Sequence, residues 1–304
     1  MDGLLVVDKP TGPTSHDVVA RVRRALRERR IGHTGTLDPA ATGVLTLVLG
    51  RATRLATFLS GSNKSYEAVV RLGFSTDTAD AQGRVLGASV TALPGREAID
   101  AALDAFRGTF LQQPPAFSAK KVDGKRSHKL ARARRRSDSD STSISTLPAP
   151  ATVTAHAITI VSVDGDRVTL TVDCSAGFYI RSLAHDLGER LGVGGHLVSL
   201  RRTRSGDFSL ADAIDLDTTE RQPQAAAARV IPLAGMLPGL APVVLTPDGV
   251  HKALHGRELG PLDCASGFGV RDPLYRLLDE AGALIAIARP SSRPQILHPS
   301  VVLV

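Results

Sequence analysis

Apolar positions recur along this chain with two different periods, and together they predict a mixture of helices and strands. Thr14-Ser15-His16-Asp17 has capping-box spacing, and Val18, Val19, Val22 and Leu26 then fall on one helical face. Arg21, Arg23, Arg24, Arg27, Arg29 and Arg30 occupy the opposite face and the stretch beyond it, placed either to meet a polyanion or simply to be solvated. Leu4 to Val7 is an apolar run, Val44 to Leu49 reads as a buried strand, and Ser65 to Phe74 reads as another strand. Thr76 to Gly83 is an acid-rich loop, and Arg96 to Phe106 an amphipathic helix. Ala155 to Val163, the turn Asp164-Gly165-Asp166 and Val168 to Asp173 predict a β-hairpin, with Val168, Leu170 and Val172 alternating against Thr169, Thr171 and Asp173. Ile180, Leu183, Ala184, Leu187 and Leu191 predict a helix stopped at Gly192, with Arg181 in its first turn and off the buried stripe. Further strands are expected at Tyr275 to Leu278, Leu284 to Ile287 and Val301 to Val304. The fold class that follows is α+β.

Polar segments divide this pattern. Ser137 to Pro150 is dense in Ser, Thr, Asp and Pro and predicts a mobile linker. The Ala/Gln-rich stretch Gln222 to Ala228, then Pro238 to Pro242, mark a boundary between a domain of residues 1–235 and a small C-terminal one of residues 243–304.

Composition adds a partner. The 304 residues are 42% hydrophobic, enough for a sizeable core, and the formal net charge is +7. That charge is concentrated: Lys120 to Arg136 holds nine basic residues and one acid, while the rest of the chain is close to neutral. Lys120, Lys121, Arg132, Arg134, Arg135 and Arg136 thus form a segment suited to lie along phosphates. The two cysteines, Cys174 and Cys264, are far apart and lack CxxC spacing, so they read as packing residues, and the nine histidines offer no metal-ligand pattern. No signal segment or membrane span is expected, which points to the cytoplasm.

The most informative segment is Gly32-His33-Thr34-Gly35-Thr36-Leu37-Asp38-Pro39-Ala40-Ala41-Thr42-Gly43, which isolates one carboxylate in a turn-rich, otherwise uncharged stretch. Taken alone, Asp38 is either a turn-former, as Asp before Pro often is, or a working acid. The segment resembles the catalytic motif of the TruB family of bacterial tRNA pseudouridine synthases, which modify uridine 55 in the TΨC loop. Lys9-Pro10, Lys64-Ser65-Tyr66, Arg71-Leu72-Gly73, Thr76 to Asp80, Pro114 to Lys121, Tyr179-Ile180-Arg181, Gly195-His196-Leu197 and Leu200-Arg201-Arg202 resemble further blocks of that family in the same order, covering roughly residues 3 to 235.

The resemblance implies a pseudouridine-synthase fold, a mixed and largely antiparallel sheet flanked by helices, with a small PUA-like β-domain at the C-terminus and a basic RNA-binding insertion at about 118–150. It implies Asp38 as the catalytic carboxylate, Arg181 as the arginine paired with it, and Tyr66 as the tyrosine that stacks on the base. His33 matches the histidine that enters the space left by a flipped nucleotide, and Tyr179 a wall of the pocket. Lys9, Pro10 and Gly35 are expected to support the Asp38 turn, while Asp80 either bonds uracil or caps its own loop. The TΨC arm of tRNA is the implied partner, a monomer is expected, and no cofactor or metal is called for. A guide-RNA-dependent relative acting on ribosomal RNA and a non-catalytic tRNA-folding chaperone are the competing readings.

Overall fold

The structure, a computed structural model, describes residues 1–116, 121–122, 125–126 and 148–303. In chain order, a first unit opens with strand β1 (Gly3–Lys9), helix α1 (Ser15–Leu26), β2 (Ile31–His33), β3 (Thr42–Leu49) and α2 (Ala56–Ser60). A second unit, residues 62–203, holds β4 (Lys64–Leu72), α3 (Arg96–Leu103), β5 (Gly108–Gln112), β6 (Ala151–Asp164), β7 (Arg167–Cys174) and α4 (Ile180–Arg190). Strand β8 (Gly195–Ser205) carries the chain back into the first unit. There follow β9 (Phe208–Ser209), β10 (Ile214–Asp215), α5 (Leu216–Arg221) and α6 (Pro223–Ala228). The chain closes with β11 (Ala241–Leu245), α7 (Pro247–Leu254), β12 (Cys264–Ser266), β13 (Tyr275–Leu278), β14 (Leu284–Pro290) and β15 (Leu297–Val302).

In the first unit, β1 lies between β10, its parallel neighbour, and β3, its antiparallel one. Leu4 to Val7 are wholly buried, which is what a continuous apolar run gives when both faces of a strand are covered. Helix α1 begins as its sequence predicts: the Asp17 N–H donates to Thr14 Oγ1 at 3.1 Å, and the Thr14 N–H returns a bond to Asp17 Oδ2 at 2.8 Å. Val18, Val19 and Val22 are buried, and Arg27, left-handed at φ 53°, ends the helix. The arginines of this stretch divide into two sets. Arg21 pairs with Asp217 and Glu220 of α5 and Arg23 donates to the Ile31 carbonyl, whereas the others are exposed.

In the second unit, β4, β7, β6 and β5 are antiparallel neighbours in that order. The hairpin pairs Asp164 with Arg167 across Gly165 and Asp166, and Gly165 takes φ 56° as a two-residue hairpin turn requires. Val168, Leu170 and Val172 face a core completed by Ile180, Leu183, Ala184 and Leu187 of α4. This helix lies backbone to backbone on the start of β8. A Cβ on Gly188 would stand 2.1 Å from the Gly195 nitrogen, so any larger residue there separates the two elements.

The C-terminal strands form their own five-stranded mixed sheet, in the order β12, β11, β13, β14, β15, with β11 and β13 parallel. Strands β13 and β14 match the expectation, the strand expected at Val301 to Val304 lies earlier, at Leu297–Val302, and β11, β12 and helix α7 were not expected. Gln222 to Ala228, expected as a polar boundary, is mostly helix α6, with Ala226 fully buried. The reason is size: alanine packs where two helices come close, and its neighbours stay in solvent. Ser137 to Leu147 of the expected linker lies outside the described residues. No helix among the described residues is long and apolar enough to cross a membrane.

Candidate functional site

Asp38 sits half-buried in the loop between β2 and β3, and this loop is fixed by its neighbours in the first unit. The Ala41 N–H donates to the Asp38 carbonyl at 3.0 Å, closing a turn over Pro39 and Ala40. Before the turn, the Leu37 N–H donates to Ser15 Oγ at 2.8 Å, and that hydroxyl donates back to the Leu37 carbonyl at 3.1 Å. Thr34 bonds Thr46 of β3 through both backbone and hydroxyl. After the turn, the Pro39 carbonyl accepts from the Gly12 N–H at 2.8 Å.

Lys9 completes the set. It is fully buried at the end of β1, and its ammonium donates to the carbonyls of Pro10 at 2.8 Å, Pro39 at 3.2 Å and Ala41 at 2.7 Å. Three carbonyl dipoles turned toward one ammonium make a charge-assisted knot that brackets Asp38 on its C-terminal side. His33, at the end of β2, is half-buried and meets the exposed His16 ring edge-on, with centroids 5.1 Å apart.

Arg181, Asp80, Tyr66 and Tyr179 lie in the second unit. Arg181 is the second residue of α4, and contrary to the expectation that it stands off the buried stripe, it is only 6% exposed. Its Nη1 donates to the Thr78 carbonyl at 3.3 Å and lies 3.7 Å from Asp80 Oδ2. A buried guanidinium needs such partners, and the loop supplies them. Asp80 also caps its own loop: Oδ1 accepts from Thr78 Oγ1 at 2.6 Å and from the Gln82 N–H at 3.0 Å. The loop in turn is held to β8, with the Ala81 N–H donating to the Leu197 carbonyl and the Leu197 N–H to that of Ala79.

Tyr179 is positioned by a residue the sequence did not single out. Gln112, 2% exposed at the end of β5, accepts from the Tyr179 N–H at 2.8 Å and donates to the Tyr179 carbonyl at 3.0 Å. The amide thereby fixes the backbone immediately before Ile180 and Arg181. Its signal was a glutamine at the end of a strand facing an apolar core, and Ser15, buried at the helix start, gave a similar one.

Tyr66 is half-buried on β4, opposite Val172, and packs against the second unit's core on the face that also carries Lys64 and Ala68. Lys64 is 6% exposed, and burial together with the nearby Arg202 guanidinium pushes its pKa down to about 8. Cys174, opposite Lys64 in the ladder, is buried and pushed up to about 12. Both cysteines are free thiols.

The remaining expectations fall elsewhere. Lys120, Arg132, Arg134, Arg135 and Arg136 lie outside the described residues, and Lys121 is described only as part of a two-residue strand, Lys121–Val122. Pro10 takes part through its carbonyl, and Gly35 lies within the fixed loop.

Comparison with known proteins places this arrangement. The model for the TruB family pseudouridylate synthase N-terminal domain matches residues 23–180, and that for the tRNA pseudouridylate synthase B C-terminal domain matches residues 181–232. A protein of Solibacter usitatus named tRNA pseudouridine synthase B is 40% identical over 311 residues, covering all of both chains. One of the same name from Corynebacterium aurimucosum is 42% identical, covering 95% of this chain and 97% of its own. Among solved structures, a chain of a Cbf5-Nop10-Gar1 complex superposes with a TM-score of 0.73 at 26% identity, covering 99% of this chain and 85% of that one. A chain of an H/ACA RNP bound to a substrate RNA containing 2'-deoxyuridine gives 0.72 at 25%, with the same coverage. Full-length likeness at this level and the two family models in order show that the chain belongs to the TruB family of pseudouridylate synthases.

Proposed function

We propose that this chain converts uridine 55 in the TΨC loop of tRNA into pseudouridine, with Asp38 as the reacting carboxylate. The observation that carries the reading is the Asp38 turn. The turn that carries this single carboxylate is held by Lys9 of β1, Ser15 of α1 and Thr46 of β3, which is far more restraint than a surface turn needs. The names of the full-length relatives supply tRNA as the substrate.

The isomerisation breaks the N1–C1' bond of uridine, turns the detached uracil and joins C5 to C1'; a proton leaves C5 and N1 gains one, so no electrons are exchanged. Asp38 starts this either as a nucleophile on the nucleotide or as a base that removes a ribose proton. Both routes need the carboxylate ionised, and Arg181 is assigned to hold it so, since a guanidinium keeps its charge throughout the working range. The uridine must leave its stack first. Tyr66 is assigned to hold the flipped base, His33 to fill the gap it leaves, and Tyr179 to wall the pocket. The basic segment from Lys120 to Arg136 is assigned to the phosphates around the loop, and the enzyme works as a cytoplasmic monomer.

The test is release of tritium from uracil C5 in a bare TΨC-arm hairpin, with purified protein and neither guide RNA nor metal. Release at enzymatic rates supports the reading. Release only with added guide RNA and partner proteins favours a guide-dependent enzyme, and binding with no release favours a chaperone.

A further inference from the structure

Within the first unit, the last turn of α1 and the corner between α5 and α6 enclose an open groove lined by Ala25, Leu26, Arg27, Arg221, Gln224 and Ala227. Arg27 and Arg221 are exposed there, and Arg24, Arg29 and Arg30 are exposed on the same stretch of chain as Arg27. The carboxylates of these elements are all engaged. Glu28 accepts from the Met1 amine at 3.0 Å and from the Arg30 N–H at 2.9 Å, Asp217 and Glu220 hold Arg21, and Asp215 caps α5 at the Thr218 N–H. Among the described residues, none of Arg24, Arg27, Arg29, Arg30 and Arg221 makes an ion pair. The acids of the patch bond Arg21, the amine and backbone, with Arg24 and Arg30 also near enough to Glu220 and Glu28 to interact, and the guanidiniums outnumber these acids, which leaves a net positive field.

Position adds a second observation. The 12 residues of α1 span about 18 Å at 1.5 Å per residue. The opposite end of the helix, Ser15, is bonded to Leu37 beside Asp38. The groove is therefore about 18 Å along one rigid helix from the Asp38 turn, a distance of several base pairs along an A-form RNA duplex. A short loop held at Asp38 does not reach it. A duplex extending from that loop along α1 is long enough to.

We propose that this groove is a second contact for the phosphate backbone of the substrate RNA, taken by duplex phosphates several base pairs from the reacting nucleotide. The proposal rests on the reading of the chain as an RNA-modifying enzyme, and it concerns binding rather than chemistry. Arg27 and Arg221 are the central contacts, with Arg24, Arg29 and Arg30 contributing field.

The experiment compares the parent with Arg27→Ala/Arg221→Ala and Arg27→Lys/Arg221→Lys. Each is titrated with a full-length tRNA transcript and with a TΨC-loop hairpin trimmed to two base pairs, from low to moderate salt. For full-length tRNA, the alanine pair should weaken binding severalfold or more at low salt and flatten log K against log salt by roughly 1.4 to 1.8, about 0.7 to 0.9 per lost contact. The lysine pair should retain most of the slope, and the trimmed hairpin should bind all three proteins alike. An unchanged slope on full-length tRNA overturns the proposal and leaves the groove to a protein partner or to solvent. Equal weakening on the trimmed hairpin overturns it too, since the arginines would then act at the loop or through the fold. Thermal melting of each variant shows whether the fold survives. Tritium release by the parent is read separately, so failure of the catalytic reading and failure of the groove are distinguishable.

Discussion

The Lys9 ammonium lies 2.7 Å from the Ala41 carbonyl oxygen, joining the end of β1 to the chain three residues beyond Asp38. Replacing Lys9 by Met keeps the stem but removes the donor shared by three carbonyls. Their loss should cost about 2–4 kcal/mol of stability, since buried acceptors left unpaired cost about 1–3 kcal/mol each and the variant is spared the burial of a charge. Urea unfolding measures the first effect. Turnover at saturating RNA should fall by more than tenfold, and a variant as active as the parent would show that the turn needs no such knot.

Asp38→Asn should abolish tritium release while RNA affinity stays within severalfold of the parent. One carboxylate is a small part of an interface made mostly to phosphate and sugar. Residual turnover above a few percent, with deamidation excluded by mass spectrometry, would remove Asp38 from the chemistry.

For Arg181→Lys, the charge persists but the planar fork is lost, so the groups it now serves at Thr78 and Asp80 are held less well. The expected outcome is a fall in kcat of tenfold or more with a smaller change in Kd. A kcat equal to the parent's would place Arg181 in the loop's support alone.

Gln112→Leu tests whether Tyr179 is positioned from beneath. It removes both bonds to the Tyr179 backbone and should cost about 1–3 kcal/mol. Because Arg181 follows two residues later, kcat should drop while Kd hardly moves. Equal losses in both would mean a general loosening of the second unit.

Lys64 predicts a pH dependence of stability. Its folded pKa is pushed down to about 8, whereas an unfolded lysine titrates near 10.4. Between these values the unfolded chain binds the extra proton, so stability rises with pH through that window, and the penalty is fully present below pH 8. The swing is on the order of 3 kcal/mol. Cys174, and Cys264 in the same way, acts oppositely from about pH 8 upward, because its folded thiol keeps a proton that the unfolded one, titrating near 8.5, loses. That opposing fall is common to the parent and to Lys64→Met, so the difference between their curves is what reports Lys64. Chemical denaturation from about pH 7 to 10 should show the parent gaining stability relative to Lys64→Met as pH rises; parallel curves would mean that Lys64 is more hydrated than its burial implies.

Local patterns were read well wherever one element decides its own burial. The capping box at Thr14, the Val168-Leu170-Val172 alternation and the Ile180 to Leu187 stripe each carry their periodicity in a dozen residues, and each formed as expected. Side chains whose burial depends on distant backbone were not legible. Lys9 is buried because carbonyls 30 and more residues away turn toward it. Arg181 is buried because the Thr78–Asp80 loop folds over it. Neither partner is visible in a local window. Strand β11 is not legible because it is only five residues long and holds Pro242, which reads as punctuation, and helix α6 because its buried face is a single alanine.

The pairing of Val7 with Ile214 sets a timetable for synthesis. Strand β1 leaves the ribosome early, but its parallel neighbour β10 is made about 200 residues later, after the whole second unit. At 5–20 residues per second that interval is roughly 10 to 40 s. Throughout it, one edge of a strand of wholly buried residues, Leu4 to Val7, stays open. The nascent chain thus carries an adhesive edge for much of its translation, while the second unit, contiguous in sequence, is free to fold first. Slowing elongation ahead of residue 214 should raise the demand of this chain for chaperones more than slowing it afterwards.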